Sequence, residues 1–267
     1  MQAALPMYFP PREAVHAFWT ALAALLQAQP ACAGLEIPRS LSWADDIHAQ
    51  WRAPDLLLSQ ACGYPLTTLL KDKVQLVGTL AYATPGVQGI FCKSQLICRA
   101  GDLRSALSDF VGSTLAFNSA LSQSGYNALR AHIATTTARR PFFARTIDTG
   151  AHYKAIEAVR TGRADIAAID PVSWAQWQRS NPRLCAELRV FAETEPYPGL
   201  PLITSLQTPA GVLDALRVGL KSLAYEDCYS AVRAPLLING FRVTGMEDYA
   251  ICLEMQEQAL KHGLDSL

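Results

Sequence analysis

Short apolar segments alternate with segments of helical periodicity along most of the chain. For example, STLAFN precedes the helical YNALRAHI, and ADIAAID runs into the helical PVSWAQWQ. Neighbouring parallel strands need a crossover connection that is usually a helix, so this alternation is typical of α/β proteins. The pattern predicts two mixed, largely parallel sheets with flanking helices.

Residues 99–198 contain a complete α/β pattern bracketed by extended segments. We therefore expect one domain inserted into another, with two crossings that form a hinge near Leu96–Ala100 and near Val190–Pro196. The predicted boundaries are 1–97 for the first part of lobe 1, 98–194 for the inserted lobe 2, and 195–267 for the second part of lobe 1 with its C-terminal helices.

Charge excludes some classes of partner. The 267 residues carry 23 Lys+Arg against 23 Asp+Glu, which argues against a nucleic-acid surface or a polybasic membrane anchor. Only residues 129–163 are clearly basic. That excess is either a solvated face or a field that favours an anion. The basic residues are Arg130, Arg139, Arg140, Arg145, Lys154, Arg160 and Arg163.

Targeting and cysteine signals are weak. No apolar run reaches the roughly 18 residues that span a bilayer, so direct membrane insertion is not expected. The first residues, MQAALPMYFPPREAV, lack the features of a signal peptide, which predicts a cytoplasmic product unless a leader was removed.

Seven cysteines without a Cys-x-x-Cys spacing indicate buried reduced thiols rather than a metal site, and no cofactor is expected.

The segment NSALSQSGYNALR places Ser122, Gln123, Ser124 and Gly125 where a helix begins. The first N–H groups of a helix have no internal partner, and the helix dipole makes that end electropositive. Small hydroxyl residues and a glycine allow a tetrahedral oxyanion to approach these groups. The alternative is an ordinary serine N-cap.

Three further positions are candidates for the same site. His152 lies in the first turn of a helix that follows Thr149 and Gly150, although it is equally explained as an exposed helix residue. Asp170 ends a buried strand, where ligands of open α/β sheets gather, or it caps the following helix. Gln60 and Tyr64 follow another buried strand, although Tyr64 is also typical of a core.

Several enzyme signatures are missing from the sequence. It contains no Gly-x-Ser-x-Gly elbow, Walker loop, Gly-x-Gly-x-x-Gly or His-Glu-x-x-His motif. The serines also have no neighbouring base at a diagnostic spacing, although the sequence alone does not exclude a base that is close in space.

The order of SQSGYNALR, GAHYKAIEAVRTGRADIAAIDPVSW and PGLP resembles the phosphate/phosphite/phosphonate-type substrate-binding proteins of ABC transporters. The resemblance implies a two-lobed type II periplasmic-binding-protein fold with ligand in the cleft and hinge closure. It also implies a small anionic ligand, an ABC permease as partner, and a periplasmic location.

The resemblance assigns roles to individual residues. Oxyanion binding falls on Ser122, Gln123, Ser124 and His152. Tyr64 and Asp170 are expected to bind the rest of the ligand, and Tyr8 and Gln60 are further expected contacts. Trp174 and Glu195 are weaker candidates.

One departure leaves alternatives open. Family members often carry Tyr-Arg-Ser before the first crossing strand, where this chain has Cys92-Lys93-Ser94. The missing tyrosine makes an aminoalkyl-phosphonate ligand less secure. The alternative function is an enzyme on the same fold that acts on a pyrimidine or thiamine precursor, with Cys62 or Cys92 as its nucleophile. A regulatory effector module ranks last, because no DNA-binding helix pair is attached.

Overall fold

The computed structural model describes residues 1–8, 11–136 and 141–267. These residues form mixed sheets with flanking helices, so the predicted α/β class is confirmed. The strands are β1 (Gln2–Ala4), β2 (Leu56–Gln60), β3 (Val74–Tyr82), β4 (Val87–Gln88), β5 (Phe91–Cys92), β6 (Gln95–Arg99), β7 (Thr114–Phe117), β8 (Arg145–Asp148), β9 (Ile166–Ile169), β10 (Leu188–Glu193), β11 (Tyr197–Pro198), β12 (Pro201–Ser205) and β13 (Ile238–Arg242).

A π-helical turn at Gln123–Asn127 leads directly into one of the helices. The α-helices are α1 (Arg12–Gln27), α2 (Ile47–Trp51), α3 (Gly63–Thr67), α4 (Ala128–Thr136), α5 (His152–Arg160), α6 (Pro171–Ser180), α7 (Pro182–Cys185), α8 (Ala210–Tyr225), α9 (Ser230–Arg233) and α10 (Ala250–Lys261). Short 3₁₀ turns lie at Pro30–Cys32, Leu107–Phe110, Asp227–Tyr229, Ala234–Leu236 and Met246–Tyr249.

The chain divides into two compact units, and their limits differ from the predicted boundaries mainly at the C-terminus. The first unit is Met1–Ala83, Gln88–Ile90 and Pro198–Asp248, and the second is Thr84–Val87, Phe91–Tyr197 and Tyr249–Leu267. Residues 249–267 thus belong with the predicted lobe 2 rather than with lobe 1. The amphipathic pattern of α10 specifies a buried face, but it does not specify which domain covers that face.

The sheet of the first unit has the order β1-β2-β12-β3-β13. β1 and β2 are parallel, whereas β12 runs antiparallel to β2 and β3, and β13 runs antiparallel to β3. The expectation of a largely parallel sheet is therefore wrong here, because a short apolar strand pattern carries no information about strand direction.

Two long helices of the first unit pack closely against each other. α1 buries Phe18, Trp19 and Leu22, and the Trp19 indole donates a hydrogen bond to the Pro38 carbonyl at 2.9 Å. Gly219 of α8 lies against α1, since a Cβ at this position would come within 2.8 Å of Leu22 Cδ1. An alanine at this position would therefore require the Leu22 side chain to shift.

The sheet of the second unit has the order β10-β6-β9-β7-β8. β7 is parallel to both β8 and β9, whereas β6 is antiparallel to β9 and β10. Leu115 packs in a core cluster with Leu129, and the next residue, Ala116, packs in a second cluster with Ile156. This alternation shows that both faces of the sheet are covered. Gly162 follows the C-cap of α5 with φ of 76°, the left-handed conformation in which glycine often ends a helix.

Candidate functional site

Three helix starts of the second unit follow strands that end at the same edge of the sheet. β7, β8 and β9 are parallel neighbours. They lead to the π-turn at Gln123–Asn127, to α5 at His152, and to α6 at Pro171. Because carboxyl ends of parallel strands share an edge, this edge is where an open α/β sheet binds ligands.

Ser122 is the N-cap of the π-turn. Its Oγ accepts a hydrogen bond from the Gly125 N–H at 3.0 Å, and its carbonyl oxygen accepts one from the Asn127 N–H at 2.9 Å. The second bond closes a wider ring than that of an α-helix, so the turn is loosened where the helix begins. Such π-turns occur frequently at functional sites.

Ser124 and His152 lie in direct contact. Ser124 Oγ lies 2.9 Å from His152 Nε2 and 3.4 Å from Ser122 Oγ. The structure therefore brings together three of the residues predicted to bind an oxyanion. Ser122 is 5% exposed and Ser124 is 7% exposed, so both hydroxyl groups lie in a largely water-excluded environment.

Burial lowers the pKa of His152 to about 4, so its imidazole is neutral near pH 7. The start of a helix also disfavours a positively charged side chain, so a neutral ring suits this position. Nδ1 is buried and has no hydrogen-bond partner among the described residues. In the Nε2–H tautomer the ring donates to Ser124 Oγ, which leaves the Ser124 hydroxyl proton available to another acceptor.

The Gln123 side chain is held away from the two serine hydroxyls. Its Oε1 accepts a hydrogen bond from Asn127 Nδ2 at 2.9 Å, and its Nε2 contacts Met255 Sδ at 3.2 Å. A role for Gln123 in ligand binding stays a prediction, and it would fall on the backbone rather than on the amide.

Asp170 caps α6. Its Oδ1 accepts the N–H groups of Val172 at 2.9 Å and Ser173 at 3.0 Å. Burial raises the pKa of Asp170 to about 6, against the opposing effect of these hydrogen bonds. One oxygen is thus committed to the helix, and a further contact with ligand stays a prediction. Trp174 is 4% exposed and stacks on Trp177 at 5.4 Å, so it lies in the core.

The first unit brings two other candidates together through a residue that the sequence analysis missed. Gln60 Nε2 donates to Tyr82 Oη at 3.3 Å, and the Tyr8 ring packs edge-on against the Tyr82 ring with 5.3 Å between centroids. Tyr64 lies in α3 with a buried side chain. Tyr82 falls at the end of a long apolar strand, where an aromatic residue is usually read as core.

The basic segment does not behave as one charged face. Arg130 is 4% exposed, and its guanidinium donates to the Asp265 carbonyl oxygen at 2.9 Å. Arg160 pairs with Glu157 and Glu187. Arg139 and Arg140 lie outside the described residues. Arg130 and Arg160 are therefore used within the fold, whereas Arg145, Lys154 and Arg163 are exposed.

The cysteines do not support an enzyme. None of the seven forms a disulfide, and Cys62 and Cys92 are buried. Burial and the nearby Asp170 raise the pKa of Cys92 well above its ordinary value, which disfavours the nucleophilic thiolate. Cys92 lies in β5 and Cys98 lies in β6, and Lys93 and Ser94 separate these two strands.

Two absences concern the residues that the structure describes. Among residues 1–8, 11–136 and 141–267, no group of three or more His, Cys, Asp and Glu side chains is placed to hold a metal ion. In the same ranges, no helix has the length and apolar character required for a membrane span.

The chain has the fold of solved binding proteins. The binding component of a phosphonate ABC transporter from Pseudomonas aeruginosa aligns with a TM-score of 0.78 and 14% identity, over 98% of this chain and 87% of that one. PhnD1 from Prochlorococcus marinus, solved with methylphosphonate, aligns with a TM-score of 0.76 and 15% identity, over 97% and 98%. A Xanthomonas citri protein solved with chloride aligns with a TM-score of 0.70 and 16% identity, over 98% of each chain. These neighbours include two-lobed periplasmic binding proteins, which confirms the predicted fold class.

Comparison of the sequence with known families identifies the family of this chain. No curated protein matches the chain. Residues 45–249 match the family described as ABC transporter, phosphonate, periplasmic substrate-binding protein, and that range covers more than half of the chain. Members of this family are binding proteins rather than enzymes, which confirms that prediction and removes the enzyme alternative. The chain therefore belongs to the phosphonate-type periplasmic substrate-binding proteins of ABC transporters.

Proposed function

We propose that the protein captures a small oxyanion of the phosphate or phosphonate class for uptake through an ABC permease, in the periplasm. The observation that carries the proposal is the cluster of Ser122, Ser124 and His152 at the start of a helix. Two hydroxyl oxygens lie 3.4 Å apart there, and one of them contacts a neutral imidazole whose Nδ1 is buried. Methylphosphonate in the Prochlorococcus marinus neighbour supports the ligand class.

The hydroxyl groups of the cluster can donate to the charged oxygens of an anion. Ser122 Oγ already accepts the Gly125 N–H, so its own proton is directed elsewhere. Ser124, when it accepts from His152, also has a proton to donate. Each hydrogen bond to a charged ligand contributes about 1.5–3 kcal/mol, so a few such bonds support micromolar affinity after ordering and desolvation costs.

The other predicted contacts complete the proposal. We expect Tyr8, Gln60, Tyr64 and Asp170 to hold the part of the ligand away from the oxyanion. We also expect closure about a hinge on binding, as in other binding proteins. X-ray scattering with and without saturating ligand tests closure, and identical profiles would contradict it.

Calorimetry with Ser124→Ala tests the function. We expect the wild-type protein to bind phosphate, phosphite or methylphosphonate more tightly than sulfate or acetate, and to show a matching rise in melting temperature. Ser124→Ala should weaken binding by about 10- to 100-fold, the loss of one charge-assisted hydrogen bond. Ser113→Ala is the matched control, because Ser113 is a buried serine of the same unit whose hydroxyl donates to the Phe110 carbonyl at 2.6 Å. Equal affinity of the Ser124→Ala and Ser113→Ala variants would refute the proposed site.

A further inference from the structure

Ser94 was not a candidate in the sequence analysis, yet it joins two parts of the second unit. Its side chain is fully buried, and its Oγ lies 2.7 Å from the Ser124 carbonyl oxygen and 2.7 Å from Tyr197 Oη. Its backbone is also fixed, since Ser94 N–H donates to Thr194 Oγ1 at 3.0 Å and Thr194 N–H donates to the Ser94 carbonyl at 3.0 Å.

The direction of these hydrogen bonds follows from the number of protons. A carbonyl oxygen only accepts, so the single hydroxyl proton of Ser94 points to the Ser124 carbonyl. The 2.7 Å contact between Ser94 Oγ and Tyr197 Oη then requires the tyrosine to be the donor. The chain of donors therefore runs from Tyr197 through Ser94 to Ser124.

The same peptide group carries the next hydrogen bond. In a trans peptide the C=O and N–H groups point in opposite directions. The peptide that joins Ser124 to Gly125 accepts from Ser94 on its carbonyl side and donates from its N–H to Ser122 Oγ at 3.0 Å on the other. Both ends of this peptide are held, so it cannot rotate without breaking a buried hydrogen bond.

We propose that Tyr197 and Ser94 are positioning residues for the oxyanion site, and that their hydrogen bonds fix the Ser124–Gly125 peptide so that the Ser122 hydroxyl proton is directed to the ligand. This inference rests on the proposed function. Successive hydrogen bonds polarise one another, so each donor in the series strengthens the next. Neither residue contacts the ligand in this account.

The series of hydrogen bonds from Tyr197 through Ser94 to the Ser124 carbonyl, called the relay below, also involves the segments that connect the two units. Ser94 lies close to the point where the chain enters the second unit at Phe91, and Tyr197 is the last residue before the chain returns to the first unit at Pro198. The relay thus ties the serine turn to both crossing segments. A change in the conformation of the segment at Ser94 or at Tyr197 would therefore alter the orientation of the Ser122 hydroxyl that donates to the ligand.

Three variants test the relay by calorimetry with methylphosphonate and phosphate. We expect Ser94→Ala to weaken binding about 5- to 10-fold and Tyr197→Phe about 3-fold, because each removes a hydrogen bond that acts through another group. The double variant should bind like Ser94→Ala alone, because Tyr197 acts through Ser94. Ser113→Ala should bind within 2-fold of the wild type. Multiplicative losses in the double variant, or unchanged affinity in both single variants, would overturn the relay.

A measurement without ligand separates this inference from the proposed function. The Gly125 amide proton resonance reports the hydrogen bond to Ser122, and we expect it to move upfield in Ser94→Ala and Tyr197→Phe but not in Ser113→Ala. If the wild-type protein binds neither probe, the proposed function is wrong and the amide shift alone judges the relay. An unmoved Gly125 resonance in Tyr197→Phe, which keeps the aromatic ring, would overturn it even if Ser94→Ala fails to fold.

Discussion

Two helix starts at one edge of the sheet of the second unit have different groups that accept hydrogen bonds from their first N–H groups. At α6 the cap is a carboxylate, and Asp170 accepts from Val172 at 2.9 Å and Ser173 at 3.0 Å. At the π-turn the cap is the Ser122 hydroxyl, and the neighbouring Ser124 hydroxyl contacts a neutral His152. Helix starts favour negative charge, so α6 carries its own anion whereas the π-turn is capped by neutral groups. The uncharged cap therefore leaves the start of the π-turn without an anion of its own, as we expect for a site that takes an external anion.

Giving the π-turn the cap of α6 should have the largest effect. Ser122→Asp places a carboxylate where the ligand charge would lie, so we expect phosphate and methylphosphonate binding to fall by at least about 100-fold through like-charge repulsion. Asp and Ser are similar N-caps, but Ser122 is buried, so desolvation of the new carboxylate should also lower the free energy of unfolding. Calorimetry and urea unfolding measure the two effects.

Ser122→Asn is the matched neutral control for that variant. Asn also caps a helix well but brings no charge. We expect it to weaken binding much less than Ser122→Asp. Similar losses in both variants would show that shape rather than charge decides binding at the π-turn.

Removing the cap of α6 should be the next largest effect. Asp170→Ala leaves two buried N–H groups without their acceptor, and we expect a loss of about 2–3 kcal/mol in the free energy of unfolding. Asp170→Asn, which retains an acceptor oxygen, should lose less than about 1 kcal/mol. Urea unfolding with an unchanged m-value measures this, and an unaffected Asp170→Ala variant would contradict the assigned cap.

The pH dependence of stability should distinguish Asp170, the cap of α6, from His152, which contacts the π-turn. The pKa of His152 is lowered to about 4, so the unfolded state binds the proton first and stability falls as the pH drops from about 6.5 to 4. The pKa of Asp170 is raised to about 6, so the folded state binds the proton first, and this contribution to stability is lost as the pH rises through about 6.

Single variants resolve these opposing contributions. Between pH 7 and pH 4.5, His152→Gln should lose less stability than the wild type, and Asp170→Asn should lose more, each by about 1–3 kcal/mol. Urea unfolding at a series of pH values measures both. Parallel profiles for the wild type and His152→Gln would show that the imidazole is not buried as described.

The smallest effect is expected at Gln123. Its amide is engaged with Asn127 and Met255, so Gln123→Met should change ligand affinity by less than about 3-fold. Calorimetry measures this, and a loss comparable to that of Ser124→Ala would place the Gln123 side chain in the site.

The residues of the proposed anion site were easier to select from the sequence than the residues that support them. Ser122, Ser124 and His152 were found because each stands at a helix start with small neighbours, a local signal. The contacts of Ser94 with Tyr197 join residues about a hundred positions apart, and no local pattern carries such pairing. The placement of α10 and the antiparallel direction of β12 also depend on tertiary packing, which periodicity does not encode.

A crystal structure grown with methylphosphonate at a concentration that saturates binding tests the central claim most directly. We predict phosphonate oxygens about 2.6–3.0 Å from Ser122 Oγ and Ser124 Oγ, with His152 Nε2 still in contact with Ser124. Methylphosphonate bound elsewhere on the protein, with the two serine hydroxyls still bonded only within the fold, would contradict the account.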